Sequence, residues 1–302
     1  MKVCKEWFLE AKWGKIALIS WGDPNGEPIL LVHGRQDSSS TFIPLLEMLP
    51  DRYHYVAVDL PGNGLSDPIP KSVVLQRLFP VAVIQMVVDH LNWNKFTLIA
   101  HSMGGEIGLF YNAIFPDRCK RCIYLDTIPA LQRLMLTDFS DFYMTHYIYY
   151  YDNYHSINND QRIFSKEDAL NAVMKARGMT RDQAEIILSR NLKKVGPDQY
   201  KLSWDKREKI LAPMVSSPEH YYELFSSNPV PSLFICAQDF DSGYVKGKEE
   251  TSKLISNLST LKNIKIINVE GAHDVHFTNP ERVIEHIKNF LDEDSNKTKS
   301  KL

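Results

Sequence analysis

The sequence lacks the marks of several protein classes, because it has few cysteines, no long apolar run and no excess of either charge. Its 302 residues include four cysteines, and the formal net charge is −2. A chain whose net charge is near zero lacks the excess of positive charge that is typical of proteins that bind nucleic acid or an anionic membrane. The most apolar stretch, LFPVAVIQMVV, is too short to span a bilayer. The first residues also lack the apolar segment of a signal peptide. We therefore expect no nucleic-acid partner, no membrane span and no secretory route.

The few cysteines form no complete metal motif. Cys119 and Cys122 make a CxxC pair, but no second pair and no suitably spaced histidines accompany it, as a zinc site would need. Cys119, Cys122 and Cys236 lie on or beside predicted strands, where a cysteine usually packs as a small hydrophobic residue. We expect neither a metal nor a cofactor, and the low cysteine content favours a reducing compartment.

The C-terminus carries a targeting signal. The chain ends in Ser300-Lys301-Leu302, a tripeptide that the peroxisomal import receptor reads. The polar segment 293–302 is predicted to be a disordered tail, which would leave the signal accessible. We expect the import receptor as a partner and the peroxisome as the location, with the cytoplasm as the location if the signal is not used.

Short β-rich runs alternate with helical patterns along most of the chain. The segment WFLEAKWGKIALISWG predicts an antiparallel hairpin, and later strands are separated by helices with apolar residues at i, i+3, i+4 spacing. Strands joined by helices imply an α/β fold with a mostly parallel sheet that has helices on both faces. The later predicted strands are PILLVHG, YHYVAVDL, KFTLIAH, RCIYLDT, VPSLFICA and IKIINVE.

The alternation stops between Asp126 and Val230, where the sequence indicates helices and loops with no strong strand. We expect a helical cap, or lid, at 129–229, inserted into a core made of 1–128 and 230–292. The cap begins with aromatic residues that suit the roof of an apolar pocket as a group, although helix packing is the more frequent role for any one of them. They are Phe142, Tyr143, Tyr147, Tyr149, Tyr150, Tyr151 and Tyr154.

The stretch TLIAHSMGGEIGLFY predicts a nucleophile at a tight turn. Ser102 stands between a run of β-formers and an apolar helix, with Ala100 two residues before it and Gly104 two residues after it. A strand–turn–helix bend of this kind needs small residues at both positions, because their Cα atoms approach neighbouring backbone. The usual pattern is GxSxG, and alanine still fits at its first small position.

A serine nucleophile needs a base, and His273 stands where one is expected. It follows the last predicted strand, IKIINVE, in a loop of small residues, from which it can reach the carboxyl edge of the sheet. His276 lies three residues further on and is expected to be structural. In sites with a serine at a strand–turn–helix bend of this kind, the serine comes first along the chain, then the acid and then the histidine.

The acid that orients the histidine is less clear from the sequence. It is expected after the penultimate strand, in PSLFICAQDFDSGY, where Asp239 and Asp241 both qualify. Asp126, at the end of CIYLD, is a third candidate, for which we prefer a structural role at the strand end. We choose Asp239 narrowly over Asp241. Such an acid fixes the imidazole tautomer and stabilises the imidazolium.

Two backbone N–H groups are expected to form an oxyanion hole. One belongs to Met103, directly after the nucleophile, and the other to Arg35, in the loop after ILLVHG. His33 in that loop is expected to stabilise a buried turn rather than to take part in chemistry.

Taken together, the chain resembles the α/β-hydrolase superfamily, and more narrowly the serine hydrolase-like proteins of animals. The resemblance rests on LLVHG, VDLPGNGLS, IAHSMGG and VEGAHDVHFTNPE, in this order across nearly the whole chain. It implies an eight-stranded core, a helical cap after the sixth strand and a Ser102–His273 pair, but no substrate. Haloalkane dehalogenases and epoxide hydrolases of this superfamily use an aspartate at the elbow, so Ser102 argues against both.

The leading hypothesis is a serine hydrolase that resembles carboxylesterases and thioesterases. It would cleave an ester or acyl thioester of a lipophilic acyl substrate through an acyl-enzyme on Ser102. The alternative is a small-molecule-binding protein that keeps the fold with little or no turnover. The oligomeric state is not predicted.

Overall fold

An eight-stranded, mostly parallel sheet organises the chain, as the sequence predicts. The computed structural model describes residues 3–71, 74–135, 138–159, 162–238 and 246–299, with side chains up to residue 293. The sheet order is β1-β2-β4-β3-β5-β6-β9-β10, and its antiparallel pairs are β1–β2 and β2–β4. The strands are β1 Val3–Ala11, β2 Gly14–Gly22, β3 Glu27–Val32, β4 Tyr53–Val58, β5 Phe96–His101, β6 Cys119–Leu125, β7 Leu192–Gly196, β8 Gln199–Leu202, β9 Ser232–Ala237 and β10 Ile264–Val269.

Helices lie between most of the strands. They are α1 Ile43–Met48, α2 Phe79–His90, α3 Met103–Ile114, α4 Ile128–Leu131, α5 Phe139–Tyr143, α6 Tyr149–Asp152, α7 Tyr154–Asn158, α8 Lys166–Arg177, α9 Arg181–Asn191, α10 Pro218–Ser226, α11 Lys248–Ser259, α12 Val275–Thr278 and α13 Ile284–Lys299. Short 3-10 turns occur at Ser39–Phe42, Gln132–Leu134, Lys206–Ile210 and Pro280–Arg282, and a π turn at Met144–Ile148.

The sheet is buried on both faces, because successive side chains of a strand point to opposite sides. In β3, Leu30 and Val32 pack on the face covered by α2, α3 and α11, whereas Ile29 and Leu31 pack on the face covered by α1 and α13. Central strands buried in this way are continuously hydrophobic, which explains runs such as PILLVHG.

The insertion between β6 and β9 contains a hairpin that the sequence analysis did not predict. The pattern from Thr180 indicates one helix through Gly196, but α9 ends at Asn191 and β7 pairs with β8 in an antiparallel manner. The reason is the turn at Pro197 and Asp198, where Asp198 has a φ of 45°. A proline disfavours helix in the residue before it, and two short half-exposed strands give almost no hydrophobic period.

The C-terminus also differs from expectation, because α13 continues to Lys299 where a disordered tail from 293 was predicted. Extending a helix that already exists costs far less than starting one, so a polar segment can continue it. Ser300, Lys301 and Leu302 lie outside the described residues. Within the part of the chain that the structure describes, no helix is both long and apolar enough to cross a bilayer.

Candidate active site

Ser102 occupies a strained bend between β5 and α3. Its φ of 52° and ψ of −120° lie in a region of backbone conformation that residues other than glycine rarely adopt. The bend is held because the Ser102 N–H donates to the Leu125 carbonyl at 2.9 Å, and the Ser102 carbonyl accepts from Gly105 N–H at 3.0 Å. A Cβ on Gly104 would overlap the carbonyl oxygens of Val32 and His33. The small residue that the motif requires after the serine therefore has a steric cause here.

His273 lies against Ser102, as the order of the motifs predicts. The distance from His273 Nε2 to Ser102 Oγ is 2.9 Å, although 171 positions separate the residues in the chain. β5 and β10 both end at the same edge of the sheet, so their following loops converge there. The His273 side chain is 24% exposed, which leaves the imidazole open towards a substrate.

The carboxylate that faces the other ring nitrogen belongs to Asp126. Its Oδ2 lies 2.5 Å from His273 Nδ1, and its Oδ1 accepts the Ala237 N–H at 3.0 Å. A carboxylate at Nδ1 places the ring proton there, so that Nε2 is free to accept the serine proton. Asp126 therefore makes the structural hydrogen bond at the strand end that we expected of it, with Ala237. It also makes the contact with His273 Nδ1 that a catalytic acid needs.

This geometry leads us to revise the choice of acid from Asp239 to Asp126. Asp239 and its competitor Asp241 lie outside the described residues. β6 and β9 are neighbouring parallel strands, so both end at the edge of the sheet where the histidine loop lies. The sequence alone could not separate the two positions for that reason.

The loop after β3 passes directly beside the elbow. A Cβ built on Gly34 would lie 3.0 Å from Ser102 Cβ, and Arg35 follows at once. Met103 is the first residue of α3, so its N–H has no acceptor within the helix. Both predicted oxyanion donors thus belong to backbone segments next to the nucleophile.

His33 makes the structural contacts expected for it. Its Nδ1–H donates to the Gly34 carbonyl at 2.7 Å, and its Nε2 accepts the Leu60 N–H at 2.9 Å. Burial lowers the pKa of His33, so the ring stays neutral and ties the two loops together.

Two buried histidines support the loop that carries the base. His101 Nε2–H donates to the His273 carbonyl at 3.1 Å, and the rings of His101 and His276 lie 4.1 Å apart between centroids. Burial lowers the pKa of both, that of His276 to about 3. Neutral rings can pack together without charge repulsion. The sequence analysis missed the contact from His101, whose signal is its place beside the nucleophile.

Three potential metal ligands, Asp37, His101 and Asp274, lie together behind the histidine loop. The guanidinium of Arg177 already contacts both carboxylates, at 3.1 Å from Asp37 Oδ2 and 3.9 Å from Asp274 Oδ2. A protein cation therefore occupies the place where a metal would balance these charges.

A cavity of about 200 Å³ opens onto Ser102 and His273. Its apolar part consists of Met103, Pro129, Ala130, Leu211 and Pro213, and its polar part consists of Arg35, Arg77, Arg133, His146, Glu208 and Lys209. Burial raises the pKa of Glu208 to about 8, against the hydrogen bonds that its carboxyl accepts from Asn63 and from the Gln36 N–H, and the other charged residues of this part are basic. The polar part is consequently cationic.

The aromatic residues of 142–154 do not form the roof that the sequence suggests for the described part of this cavity. His146 is the residue from that segment that lines it. Tyr143, Tyr149 and Tyr151 are instead about half exposed, at 47%, 51% and 55%. Tyr150, which lies between two of them, is fully buried. The expectation had been built on composition, without knowledge of which side chains face the core.

Comparisons with known proteins agree with the fold. The family model described as alpha/beta hydrolase fold matches residues 27–280, so the chain belongs to the α/β-hydrolase family. Within this family it is close to the animal serine hydrolase-like proteins and is a hydrolase of this fold.

The similarity extends over almost the whole chain. The serine hydrolase-like protein of Danio rerio is 28% identical over 96% of this chain and 89% of its own length. The serine hydrolase-like protein 2 of Homo sapiens is 29% identical over 94% of this chain and 92% of its own length. A thioesterase domain from a curacin biosynthetic pathway has a TM-score of 0.77 at 20% identity, covering 95% of this chain and 99% of that one.

Proposed function

We propose that this protein is a serine hydrolase that cleaves a carboxylic ester or an acyl thioester through an acyl-enzyme on Ser102. The observation that supports this most directly is the continuous series of contacts from Ser102 Oγ through His273 to Asp126 Oδ2, with distances of 2.9 Å and 2.5 Å. A nucleophile, a base and an orienting acid in hydrogen-bond reach are the components of acyl transfer.

These contacts support the following reaction. Ser102 Oγ attacks the carbonyl carbon while its proton moves to His273 Nε2, and the Arg35 and Met103 N–H groups donate to the oxyanion. The C–O or C–S bond then breaks, and the leaving group receives the proton from His273. A water attacks the acyl-enzyme in the same way, which releases the carboxylic acid and restores the serine. Asp126 keeps its contact with Nδ1 throughout and stabilises the imidazolium.

The acyl group of the proposed substrate is lipophilic and of modest size. The apolar side of the 200 Å³ cavity, from Met103 to Pro213, supports this, since apolar side chains favour burial of an acyl chain. A cavity of this volume holds an acyl group that is shorter than a long fatty-acyl chain.

The first experiment combines a fluorophosphonate probe with hydrolysis of p-nitrophenyl butyrate. Ser102→Ala and His273→Ala should each lower kcat by about 10⁶-fold, the loss that follows removal of either residue in another serine hydrolase. Ser252→Ala and His286→Ala change exposed residues of α11 and α13 and serve as controls with unchanged activity. Equal labelling of wild type and Ser102→Ala would contradict the proposal, and labelling of neither would favour the binding-protein alternative.

We also propose that the protein is imported into peroxisomes through Ser300-Lys301-Leu302. A fluorescent protein fused to the N-terminus should give a punctate signal that coincides with a peroxisomal marker. Deletion of the last three residues should make the signal diffuse. A punctate signal that survives the deletion would contradict the import proposal without affecting the hydrolase.

A further inference from the structure

Two helices of the insertion between β6 and β9 pack against the segment that carries the base. The apolar cluster of α8 and α9 includes Phe277 of α12, which follows His273 closely in the chain. The Gln183 side chain of α9 also donates an N–H to the Thr278 carbonyl at 3.2 Å. α12 is only four residues long, and a helix of this length has little stability of its own. The insertion therefore helps to fix the position of the loop around His273.

Arg177 is placed beside that loop by the end of α8. The helix ends at Arg177 because Gly178 takes up a left-handed conformation with a φ of 64°. The Arg177 Nη1–H donates to Asp37 Oδ2 at 3.1 Å, and Nη1 lies 3.9 Å from Asp274 Oδ2. Its Nη2–H donates to the Gln36 carbonyl at 3.1 Å. One guanidinium thus joins α8 to two separate loops of the core.

Both of these loops carry groups of the proposed reaction. Gln36 directly follows Arg35, whose backbone N–H is the expected second oxyanion donor. Asp274 directly follows His273, the base. A shift of either loop would change the distance between its reacting group and the nucleophile, and a displacement of about 1 Å can cost about 10²-fold in rate.

The ion pairs of Arg177 are largely enclosed by the protein. Its side chain is 17% exposed, and those of Asp37 and Asp274 are 2% and 13% exposed. Water screens enclosed pairs only a little, and removal of one partner leaves a buried charge uncompensated. The Asp274 carboxylate also lies 3.8 Å from Nε2 of His101, which donates to the His273 carbonyl. Loss of the Arg177 charge would therefore disturb the backbone that carries the base.

We propose that Arg177 is a positioning residue that holds the loops of the oxyanion donor and of the base at their distances from Ser102. This inference rests on the function proposed above. α8 and α9 then act as a fixed support of the active site and not as a lid that closes over it. α9 is joined to the core in a similar way, since Arg190 donates to Oδ2 of the buried Asp59 at 2.8 Å.

The kinetic test changes Arg177 and measures hydrolysis of p-nitrophenyl acetate and p-nitrophenyl butyrate. We expect Arg177→Gln to lower kcat about 10²-fold for both esters and to leave KM within about threefold, because the residue orients catalytic groups. Arg177→Lys keeps a positive charge without the planar fork, so its loss of kcat should be smaller. Each kcat is expressed per site that the fluorophosphonate probe labels at completion, so that unfolded molecules are not counted.

Two variants serve as controls. Lys175→Gln removes an exposed positive charge from the same helix, and its kinetics should equal those of wild type. Val88→Ala removes apolar volume from the core at α2, so it should lower the melting temperature but leave kcat per labelled site within about twofold. The comparison with Val88→Ala separates a positioning role from an effect on stability alone.

A double variant tests the link between Arg177 and the base loop. Asp274→Asn removes one of the carboxylates that face Arg177. Arg177→Gln combined with Asp274→Asn should be no slower than Arg177→Gln alone, because members of one network are not additive. A double variant that is slower by the product of the two single losses would overturn the inference.

A direct contact with substrate is the competing explanation, because Arg177 lines a cavity of about 270 Å³ together with Ser102 and His273. With Arg177→Gln, a rise of KM by about tenfold or more at unchanged kcat would show such a contact and overturn the positioning role. An unchanged kcat at a lower melting temperature would also overturn it and would leave the serine hydrolase intact. A wild-type protein that is neither labelled nor active with either ester would instead overturn the proposed function, and this inference with it.

Discussion

Asp126 uses its two carboxylate oxygens for different purposes. Oδ1 accepts the Ala237 N–H and fixes the side chain to the neighbouring strand, while Oδ2 faces His273 Nδ1. The residue has a φ of 42° and its side chain is almost fully buried. A carboxylate that is held in this way keeps the imidazole in one orientation through the reaction.

Replacement of Asp126 by asparagine should lower kcat for p-nitrophenyl butyrate by about 10⁴-fold, because the amide favours the wrong histidine tautomer. Asp239→Asn and Asp241→Asn are the matched comparisons and should keep activity within about threefold. Circular dichroism checks that each variant is folded. A large loss of activity with Asp239→Asn and a small loss with Asp126→Asn would show that Asp239 is the acid.

At the scale of elements, the bend between β5 and α3 stores strain at Ser102. Glycine adopts a positive φ without steric cost, so Ser102→Gly should unfold at a higher temperature than Ser102→Ala. Strain of this kind is worth about 1–3 kcal/mol, of which about 0.5–1 kcal/mol is offset by the greater freedom of glycine in the unfolded chain. Differential scanning calorimetry measures the difference. A melting temperature of Ser102→Gly below that of Ser102→Ala would show that the bend is relaxed.

The elements of the core could be predicted from the sequence, whereas those with weak patterns could not. β3 and β5 are short continuous apolar runs because both of their sides are buried, and α3 is an apolar helix that directly follows the motif at Ser102. β7 and β8 are short and partly exposed, so neither burial nor period distinguishes them from helix. Asn191, the last residue of α9, donates its side-chain N–H to Ser38 Oγ at 3.0 Å, and a contact between such distant parts of the chain cannot be read from the local sequence.

At the scale of the whole molecule, the sheet edge brings the site together from separate loops. The positions of Ser102 and His273 could be predicted, because each follows a recognisable strand in a fixed order. The acid could not, because the sequence offers candidate aspartates after both β6 and β9, and these two parallel strands are neighbours in the sheet. The basic side of the cavity at Ser102 could not be predicted either, since Arg35, Arg77 and Lys209 come from segments far apart in a chain whose net charge is only −2.

The central claim is that Ser102 and His273 act as one catalytic unit although 171 positions separate them. Its most direct test is kcat for one ester, measured with Ser102→Ala, His273→Ala and the double variant. Residues that act together are strongly non-additive, so the double variant should be no slower than the slower single variant. Losses that multiply in the double variant would mean that the two side chains contribute independently, and would contradict this account.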